Sequence, residues 1–370
     1  MNQGMKPNCS AIELYYFDFS DQQICGYSNI FFCVIGTFFN VLVILVYTQK
    51  HMISPMNTMF THVAIVDTLG MISWLPHTWH HLIRSNLYSV KEHRTKLWET
   101  ISRDYLHVTS VFIFTSMMLA LAMALWRYIA ILHPLKERSW CNMKSTRIAI
   151  FVCYLVGFLI TLPSYLTTGV VGVYKVLDND GFMATSCNGG NRTLVYGNTI
   201  TLRGFWYQVD FLFYGLIVKT APSVFLTFMI YRIIAALHRA KKCHRDMTES
   251  STRSSSGLNP QQSERERQTN RITTILLILL TLFIIGELPH GIGCSLVVIL
   301  GNKFLVKYYY PSAQVFNSIR IFCTSIHFLV YYSLSEQFRI TLKTLFKRKI
   351  SPDYRTSLSG MSSNTVLTSS

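Results

Sequence analysis

The fold of this chain is decided by Val111–Leu135, whose sequence is VFIFTSMMLALAMALWRYIAILHPL. Its first half carries no charged residue, which is the composition of a helix that lipid or other helices surround. It then reaches Arg127 and Tyr128 and stops at Pro134, which cannot continue a helix without losing a backbone hydrogen bond. An arginine at the end of an apolar helix must reach water, phosphate or a partner protein. Arg127 is therefore either a side chain that extends to a membrane surface or a functional group at the mouth of a helix bundle.

The composition excludes an ordinary soluble domain. Of 370 residues, 50% are hydrophobic and only 14% are charged. The formal net charge of +16 does not indicate nucleic acid, because the basic residues lie beside apolar segments, as in the cytoplasmic loops of membrane proteins. Residues 1–20 lack the apolar core of a cleaved signal peptide, so we expect the first helix to act as the targeting signal. The nine cysteines do not follow metal-ligand spacing, and we expect no cofactor.

Seven apolar segments lie close to the roughly 20 residues that a helix needs to cross a bilayer. All of them contain polar interruptions, which indicates helices packed on one another rather than isolated anchors. The sequence therefore predicts an all-α membrane protein, a seven-transmembrane helix bundle over residues 24–333. The predicted spans are Ile24–Tyr47, Asn57–Leu82, Ser102–Leu132, Ile148–Thr168, Tyr207–Leu237, Ile272–Leu300 and Ser312–Tyr332.

The basic residues predict the orientation of the chain. They concentrate after the third, fifth and seventh segments, whereas the opposite side holds the two Asn-x-Ser/Thr sequons, Asn8 and Asn191. We expect a plasma-membrane protein with residues 1–23 outside the cell and a disordered tail, residues 351–370, in the cytoplasm. In residues 334–350, apolar residues fall on one helical face and basic residues on the other, which predicts an amphipathic helix on the inner leaflet of the lipid bilayer. The Ser- and Gly-rich loop at about His238–Gln268 predicts a mobile linker.

Several motifs in residues 26–349 resemble those of the rhodopsin-like G-protein-coupled receptors. The resemblance implies a receptor that transmits the binding of an extracellular ligand to a heterotrimeric G protein, and it implies no enzymatic activity. The motifs are CVIGTFFN at Cys33–Asn40, AIVD at Ala64–Asp67, Trp126-Arg127-Tyr128, IHFLVY at Ile326–Tyr331 in place of Asn-Pro-x-x-Tyr, and Phe338-Arg339.

Finer features are similar to one invertebrate branch, the myosuppressin and sex-peptide receptors, whose ligands are short amidated neuropeptides of the FMRFamide type. By this resemblance we expect an RFamide or myosuppressin-like peptide as ligand. A chemosensory receptor for a small molecule is an open alternative. A seven-span enzyme is disfavoured because the sequence shows no set of catalytic residues deep in the bundle, and a transporter is disfavoured because it shows no internal repeat. The features are KHMISPMN at Lys50–Asn57, WCNM at Trp140–Met143, Thr273-Thr274 with Phe283, and ELPHGI at Glu287–Ile292.

The resemblance assigns coupling to the G protein to Arg127, Tyr128 and Tyr331. In the family, outward movement of the sixth helix frees this arginine and opens a cavity for the G protein. The acid that normally precedes the arginine is replaced by Trp126, so a carboxylate that would hold the guanidinium at rest is missing. We therefore expect some basal signalling. The Ser/Thr-rich tail could serve phosphorylation and arrestin, although such tails are also simply disordered.

Two acidic residues within the spans stand at informative positions. The resemblance implies that Asp67 binds a sodium ion in the resting receptor. The alternative is that protonation or hydrogen bonds neutralise the Asp67 carboxyl. His327 replaces the asparagine that the family usually has nearby, which alters this site. Glu287 replaces a tryptophan at the base of the ligand pocket and needs a positive partner, for which Lys219 and Arg320 are available. Glu287 either forms a structural ion pair or receives the arginine of an Arg-Phe-amide ligand.

The outer end of the bundle should hold the rest of the ligand pocket. We assign His290, His77 and Trp98 to the pocket, and the i, i+4 spacing of His77 and His81 only weakly suggests zinc. The family's bridging cysteine at the start of the third helix is replaced by Ser102, so the partner of Cys187 is open among Cys9, Cys25 and Cys294. We expect a bridge between Cys25 and Cys187.

Overall fold

Long helices follow one another along the chain in the predicted order. The computed structural model describes residues 19–84, 95–133, 139–177, 191–200, 209, 212–251 and 260–350. The helices are α1 (Phe19–Tyr47), α2 (Pro55–Thr78), α3 (Lys96–Leu132), α4 (Met143–Thr167), α5 (Ala221–Ser251), α6 (Pro260–Leu300), α7 (Tyr310–Ser325), α8 (His327–Leu334) and α9 (Glu336–Ile350). Short π-helical turns precede α5 at Phe213–Thr220 and α7 at Leu305–Tyr309, and another follows α2 at Trp79–Arg84.

Helix starts follow local capping. The side-chain oxygens of Ser54, Thr95 and Asn142 accept hydrogen bonds from the backbone N–H group three residues ahead, which satisfies one of the donors that each helix leaves open. The cap at Thr95 starts α3 at Lys96, several residues before the predicted start at Ser102. The prediction placed the helix boundary at the edge of the apolar segment, whereas the helix continues into polar sequence.

The predicted mobile linker at about His238–Gln268 is largely helical. The structure extends α5 to Ser251 and begins α6 at Pro260, and residues 252–259 lie outside the described part. Lysine, arginine, glutamate and glutamine are good helix formers, so the two long helices can continue beyond the membrane into water. Likewise α1 begins at Phe19, inside the predicted outer segment 1–23, whereas residues 1–18 and the tail 351–370 are not described.

A β-hairpin is the element that the all-α prediction missed. β1 (Thr168–Leu177) pairs antiparallel with β2 (Asn191–Ile200), with Thr168 opposite Ile200. β1 has the sequence TGVVGVYKVL, which is rich in valine, and β-branched residues favour strands. The hairpin contacts α3 at one end of the bundle, which we call the outer end.

Six of the described helices are long and apolar enough to cross a membrane by themselves, and all six correspond to predicted spans. The seventh predicted span, Ser312–Tyr332, is interrupted at Ile326, so α7 has 16 residues and α8 has 8. Neither piece alone reaches the length that a bilayer requires. The two pieces still occupy the seventh position, because α7 packs against both α1 and α6 and thereby closes the bundle.

Lipid-facing and core-facing side chains separate clearly. Phe38 and Phe151 are 58% and 67% exposed, which suits contact with hydrocarbon rather than water. Phe60, Met117 and Leu276 are fully buried in the main apolar cluster. This cluster fills the half of the bundle that carries Arg127 and α9, which we call the inner end. The polar side chains described next therefore lie mostly in the middle and outer parts of the bundle.

Candidate functional site

Three buried ionised side chains meet in the middle of the bundle. Glu287 comes from α6, Lys219 from the π-helical turn before α5, and Arg320 from α7; their side chains are 5%, 3% and 9% exposed. Lys219 Nζ donates a hydrogen bond to Glu287 Oε2, and Arg320 Nε lies 4.0 Å from Glu287 Oε1. We call these residues the charged cluster. The prediction that Glu287 needs one of these two cations agrees with this arrangement, and the hydrogen-bonded partner is Lys219.

Two glycines of α6 allow the charged cluster to assemble. A Cβ atom at Gly291 would lie 2.9 Å from Lys219 Cβ, and one at Gly286 would lie 3.3 Å from Arg320 Cα. Both distances are shorter than ordinary van der Waals contact, so a larger residue would separate the helices. α6 therefore approaches its two neighbours closely on either side of Glu287.

Two hydrogen-bond donor atoms of the Arg320 guanidinium have no acceptor among the described residues. Its Nε and Nη2 atoms have no hydrogen-bond partner among the described residues, although the side chain is only 9% exposed. The guanidinium carbon lies 5.9 Å from the centre of the Trp74 ring, a distance at which a cation–π contact is weakly favourable. A ring face does not replace the missing acceptors, because N–H groups form directional bonds to oxygen.

His290 lies one turn nearer the outer end and belongs to an aromatic environment. Its Nε2 atom is 2.8 Å from the hydroxyl of Tyr309, which also lies 2.7 Å from Cys294 Sγ. The ring of Tyr214 is 6.4 Å from that of His290, and Lys219 Nζ lies 5.6 Å above the Tyr214 ring. His290 is therefore connected to the charged cluster through Tyr214.

Asp67 lies deeper, toward the inner end. Ser116 donates a hydrogen bond of 2.7 Å to Asp67 Oδ1, and His327 Nδ1 lies 3.2 Å from Asp67 Oδ2. Asp67 is 7% exposed and His327 is 2% exposed, so the imidazole and the carboxylate meet away from water. Both carboxylate oxygens are thus engaged by protein groups.

This environment does not fit the sodium ion that the sequence suggested. A hard cation such as sodium prefers several oxygen ligands, as calcium and magnesium do. Here one carboxylate oxygen already accepts the Ser116 hydroxyl, and His327 presents a ring nitrogen where the family has an amide oxygen. The alternative interpretation, a carboxylate stabilised by hydrogen bonds, accounts for the contacts of Asp67.

An internal cavity joins Asp67 to the charged cluster. It measures about 20 Å³, roughly the room that one water-sized group requires. Its lining includes Asp67, Ser116 and His327 as well as Glu287 and Arg320. The polar residues of α2, α3, α6, α7 and α8 therefore converge on one space in the middle of the bundle.

At the inner end, Arg127 connects α3 to α6. Its side chain is 6% exposed, and Nε donates a hydrogen bond to the hydroxyl of Thr273. The neighbouring Tyr128 accepts a hydrogen bond from Arg232 of α5, whose guanidinium carbon lies 5.4 Å from the Tyr128 ring. A neutral hydroxyl from α6 thus contacts Arg127. The acid that usually precedes this arginine is replaced by Trp126.

Tyr331 lies in a cluster of aromatic rings from α1, α2, α8 and α9. It is 1% exposed, and its ring lies 5.2 Å from Phe60, 5.4 Å from Tyr47 and 6.0 Å from Phe338. Phe338 belongs to α9, so this contact links α8 to the helix that follows it. Arg339 also donates hydrogen bonds to the carbonyls of Tyr332 and Ser333, which caps the end of α8.

The outer residues form a separate group. His77 Nδ1 lies 3.1 Å from the Ser102 hydroxyl, and the Trp98 ring stacks on His80 with ring centres 5.0 Å apart. His77 also lies 4.8 Å from the ring of Trp74, the residue that faces Arg320. No group of three metal-ligating side chains occurs among the described residues, and the side chain of His81 is not described.

The disulfide and glycosylation predictions fall mostly outside the described residues. Cys25 carries a free thiol, which contradicts the predicted bridge to Cys187, a residue that lies outside the described part of the chain. Asn8 lies outside the description, and Asn191 is the first residue of β2.

Sequence reasoning missed two polar partners. Thr273 was noted only as part of a branch motif, and Ser116 was not singled out. Threonine and serine are common in helices that pack within membranes, so their presence alone does not distinguish a partner across the bundle from a hydroxyl bonded to its own helix.

The comparisons with known proteins identify the family. The model of the family described as serpentine type 7TM GPCR chemoreceptor Srw matches residues 27–349. The chain belongs to this family of G-protein-coupled receptors. It is accordingly a helical, multi-pass membrane protein, and the predicted receptor resemblance is confirmed.

Individual relatives support the finer resemblance. The chain is 28% identical to sex peptide receptor-related protein 2 of Caenorhabditis elegans over 348 residues, which cover 89% of this chain and 73% of the relative. It is 24% identical to the sex peptide receptor of Drosophila melanogaster over 331 residues, covering 87% and 72%. Identity to the FMRFamide receptor of Drosophila melanogaster is 23% over 340 residues, covering 89% and 55%. These relatives are receptors rather than enzymes.

Proposed function

We propose that this chain is a plasma-membrane receptor for an extracellular amidated neuropeptide of the RFamide or myosuppressin type. The relatives named for sex peptide and FMRFamide support the peptide class. The observation that carries the receptor mechanism is the contact of Arg127 on α3 with Thr273 on α6. Outward movement of α6 breaks that contact and frees Arg127 for a G protein, so ligand binding outside is converted into a change of state inside.

The ligand pocket in this proposal lies between the outer end and the charged cluster. Its floor is Glu287, Lys219 and Arg320, its wall includes His290, and its opening is lined by His77 and Trp98. The floor lies next to Trp74, which contacts His77, so the residues of floor and opening are physically connected. In this proposal a displacement at the opening reaches the floor through these packed contacts.

The remaining assignments belong to the same proposal. The N-terminus faces outward with sugars on Asn8 and Asn191, because the basic residues collect on the opposite side. α9 lies on the inner leaflet, with Phe338 packed against the bundle and its basic residues near lipid headgroups. Arrestin binds the Ser/Thr-rich tail after phosphorylation.

A chemosensory receptor for a small molecule is the second candidate, since the matching family is described by chemoreception. Cells that express the chain with a promiscuous G protein distinguish the two candidates. We expect a second-messenger response to at least one peptide from a panel of amidated peptides, and no response to sequence-scrambled controls.

The variant Arg127→Ala is the matched control, compared at equal surface expression. We expect it to bind the same peptide without a second-messenger response. A response to small volatile molecules alone, or an undiminished peptide response in Arg127→Ala, would contradict the proposal.

A further inference from the structure

Arg320 has hydrogen-bonding capacity that the described residues do not use. Its Nε and Nη2 atoms lack partners while the side chain is 9% exposed and lines the internal cavity. Leaving a buried donor unpaired is costly, and the cost is larger for a charged group. The acceptor that this guanidinium needs can come from another molecule in the adjoining cavity, either a water or a ligand group.

The neighbouring carboxylate does not supply that acceptor. Glu287 Oε2 accepts a hydrogen bond from Lys219, and Glu287 Oε1 lies 4.0 Å from Arg320 Nε, beyond hydrogen-bond distance. Trp74 offers only the face of its ring. The close approach of α6 at Gly286 fixes the backbone of Arg320 in this position.

The charge of the cluster also selects against a third cation. One carboxylate stands beside two cationic side chains, so a cationic ligand group at Glu287 would be repelled by both in a medium of low dielectric constant. An oxygen acceptor meets the opposite situation, because the open N–H groups of Arg320 favour it, while Asp67 on the same cavity offsets the positive charge of the cluster.

We propose that Arg320 binds a carbonyl oxygen, from either a carboxamide or a carboxylate, at the end of the ligand that enters the bundle. The inference rests on the proposed function, and it names the ligand group that contacts the charged cluster. The cavity of about 20 Å³ has space for one water-sized group such as the carbonyl oxygen, not for a whole side chain. Glu287 then has the role of holding Lys219 and balancing charge rather than receiving a ligand arginine.

Three related probes test this contact. They are the tetrapeptide Phe-Met-Arg-Phe-amide, its free acid, and an analogue that ends in phenethylamide and therefore lacks the terminal carbonyl. If this peptide is inactive, the most potent peptide of the amidated panel is modified in the same three ways. On the wild-type receptor we expect a carbonyl-bearing form to be about 10- to 100-fold more potent than the phenethylamide.

The variant Arg320→Met should abolish that preference, so that all three probes have equal potency. Arg320→Lys should restore part of it, because an ammonium retains the charge without the planar pair of donors. The more potent of amide and acid identifies the source of the oxygen. The proposal is overturned if wild type and Arg320→Met prefer the carbonyl-bearing probes over the phenethylamide to the same extent. It is also overturned if the wild-type receptor responds equally to all three probes but distinguishes arginine from citrulline in the peptide.

A measurement without ligand separates failure of this inference from failure of the proposed function. The thermal midpoint of the purified receptor should be the same or higher in Arg320→Met, because unsatisfied buried donors are removed. The matched variant Lys219→Met should lower the midpoint, since it removes a formed hydrogen bond. If no peptide activates the receptor, the proposed function fails; a midpoint for Arg320→Met that falls as far as that for Lys219→Met overturns the role of Arg320 by itself.

Discussion

In the middle of the bundle a buried carboxylate is paired with a buried ammonium, whereas at the inner end a buried guanidinium contacts a neutral hydroxyl. The first contact joins Glu287 to Lys219 and the second joins Arg127 to Thr273. Both connect α6 to another part of the bundle. They differ in what is separated when they are broken, because breaking the ion pair separates two opposite charges, whereas breaking the contact with a hydroxyl separates a charge from a neutral group.

This difference suits the proposed roles of the two regions. Removing one partner of a buried ion pair costs about 3–5 kcal/mol, whereas a hydrogen bond to a charged group contributes about 1.5–3 kcal/mol. A contact that opens with every activation must have the smaller cost. A contact that holds the floor of a pocket can have the larger one. The charged cluster therefore stays assembled while the Arg127–Thr273 contact opens.

The largest expected effect comes from Glu287→Gln. It leaves Lys219 and Arg320 buried without a carboxylate, so we expect a loss of roughly 3–5 kcal/mol in stability and little receptor at the cell surface. Surface labelling measures the amount of receptor at the cell surface, and the thermal midpoint of the purified receptor measures its stability. Under the alternative, in which Glu287 waits for a ligand arginine, surface expression would not change.

Two further variants sharpen this test. Lys219→Met should be milder than Glu287→Gln, because Arg320 Nε is only 4.0 Å from Glu287 Oε1 and can pair with it. The double variant Glu287→Gln/Lys219→Met should recover much of the loss of Glu287→Gln, since one cation is removed with the carboxylate. Strictly additive losses would show that the two residues do not act as a pair.

Much of this arrangement could be predicted from the sequence. The apolar segments located the helices, and the need of a buried carboxylate for a cation named both Lys219 and Arg320. Which cation forms the hydrogen bond could not be predicted, because it depends on the rotation of each helix about its axis. The π-helical turn at Phe213–Thr220 alters the direction in which Lys219 points, and π turns leave no clear signal in composition.

The partner of Arg127 shows a second limit. The sequence revealed that the usual acid is absent, but it did not show that Thr273 stands within reach. The helix ends show a third limit of sequence-based prediction. Both α5 and α6 continue past the apolar segments from which they were predicted. Hydropathy locates the membrane, and it does not locate the end of a helix that continues into water.

Thr273→Val tests the inner end and should have the next largest effect. Valine keeps the shape of threonine and removes the hydroxyl, so the resting contact with Arg127 loses about 1.5–3 kcal/mol. We expect basal second-messenger output to rise by roughly 10- to 100-fold, provided that the active state is a minor one at rest. Output is measured without ligand and normalised to surface expression.

Thr281→Val is the matched control, because the Thr281 hydroxyl donates to the Leu277 carbonyl of its own helix. It should leave basal output unchanged. Equal rises in both variants would mean that α6 responds to the loss of any hydroxyl, and an unchanged Thr273→Val would contradict the resting role of the contact.

His327→Asn tests the boundary between the two regions. In the wild-type receptor His327 and Ser116 engage both oxygens of Asp67, so replacing sodium by N-methylglucamine should not change agonist potency. Asparagine supplies an amide oxygen instead of a ring nitrogen, and we expect roughly 5-fold sensitivity of potency to sodium. Adding Asp67→Asn to His327→Asn should remove that sensitivity. A wild-type receptor that responds to sodium would contradict the interpretation of this site.

The smallest effect is expected for an ion pair at the inner end that resembles the buried one in chemistry. Arg271 of α6 lies 3.1 Å from Glu336 of α9, and the two side chains are 58% and 60% exposed. Exposed pairs contribute about 0.2–1 kcal/mol and are screened by salt, so Glu336→Gln should lower the thermal midpoint slightly and only at low ionic strength. The same substitution is thus made twice in one protein, once in water and once in the bundle. If Glu336→Gln destabilised the receptor as much as Glu287→Gln, burial would not be what makes the charged cluster costly to break, and the division between a permanent floor and a contact that opens would lose its physical basis.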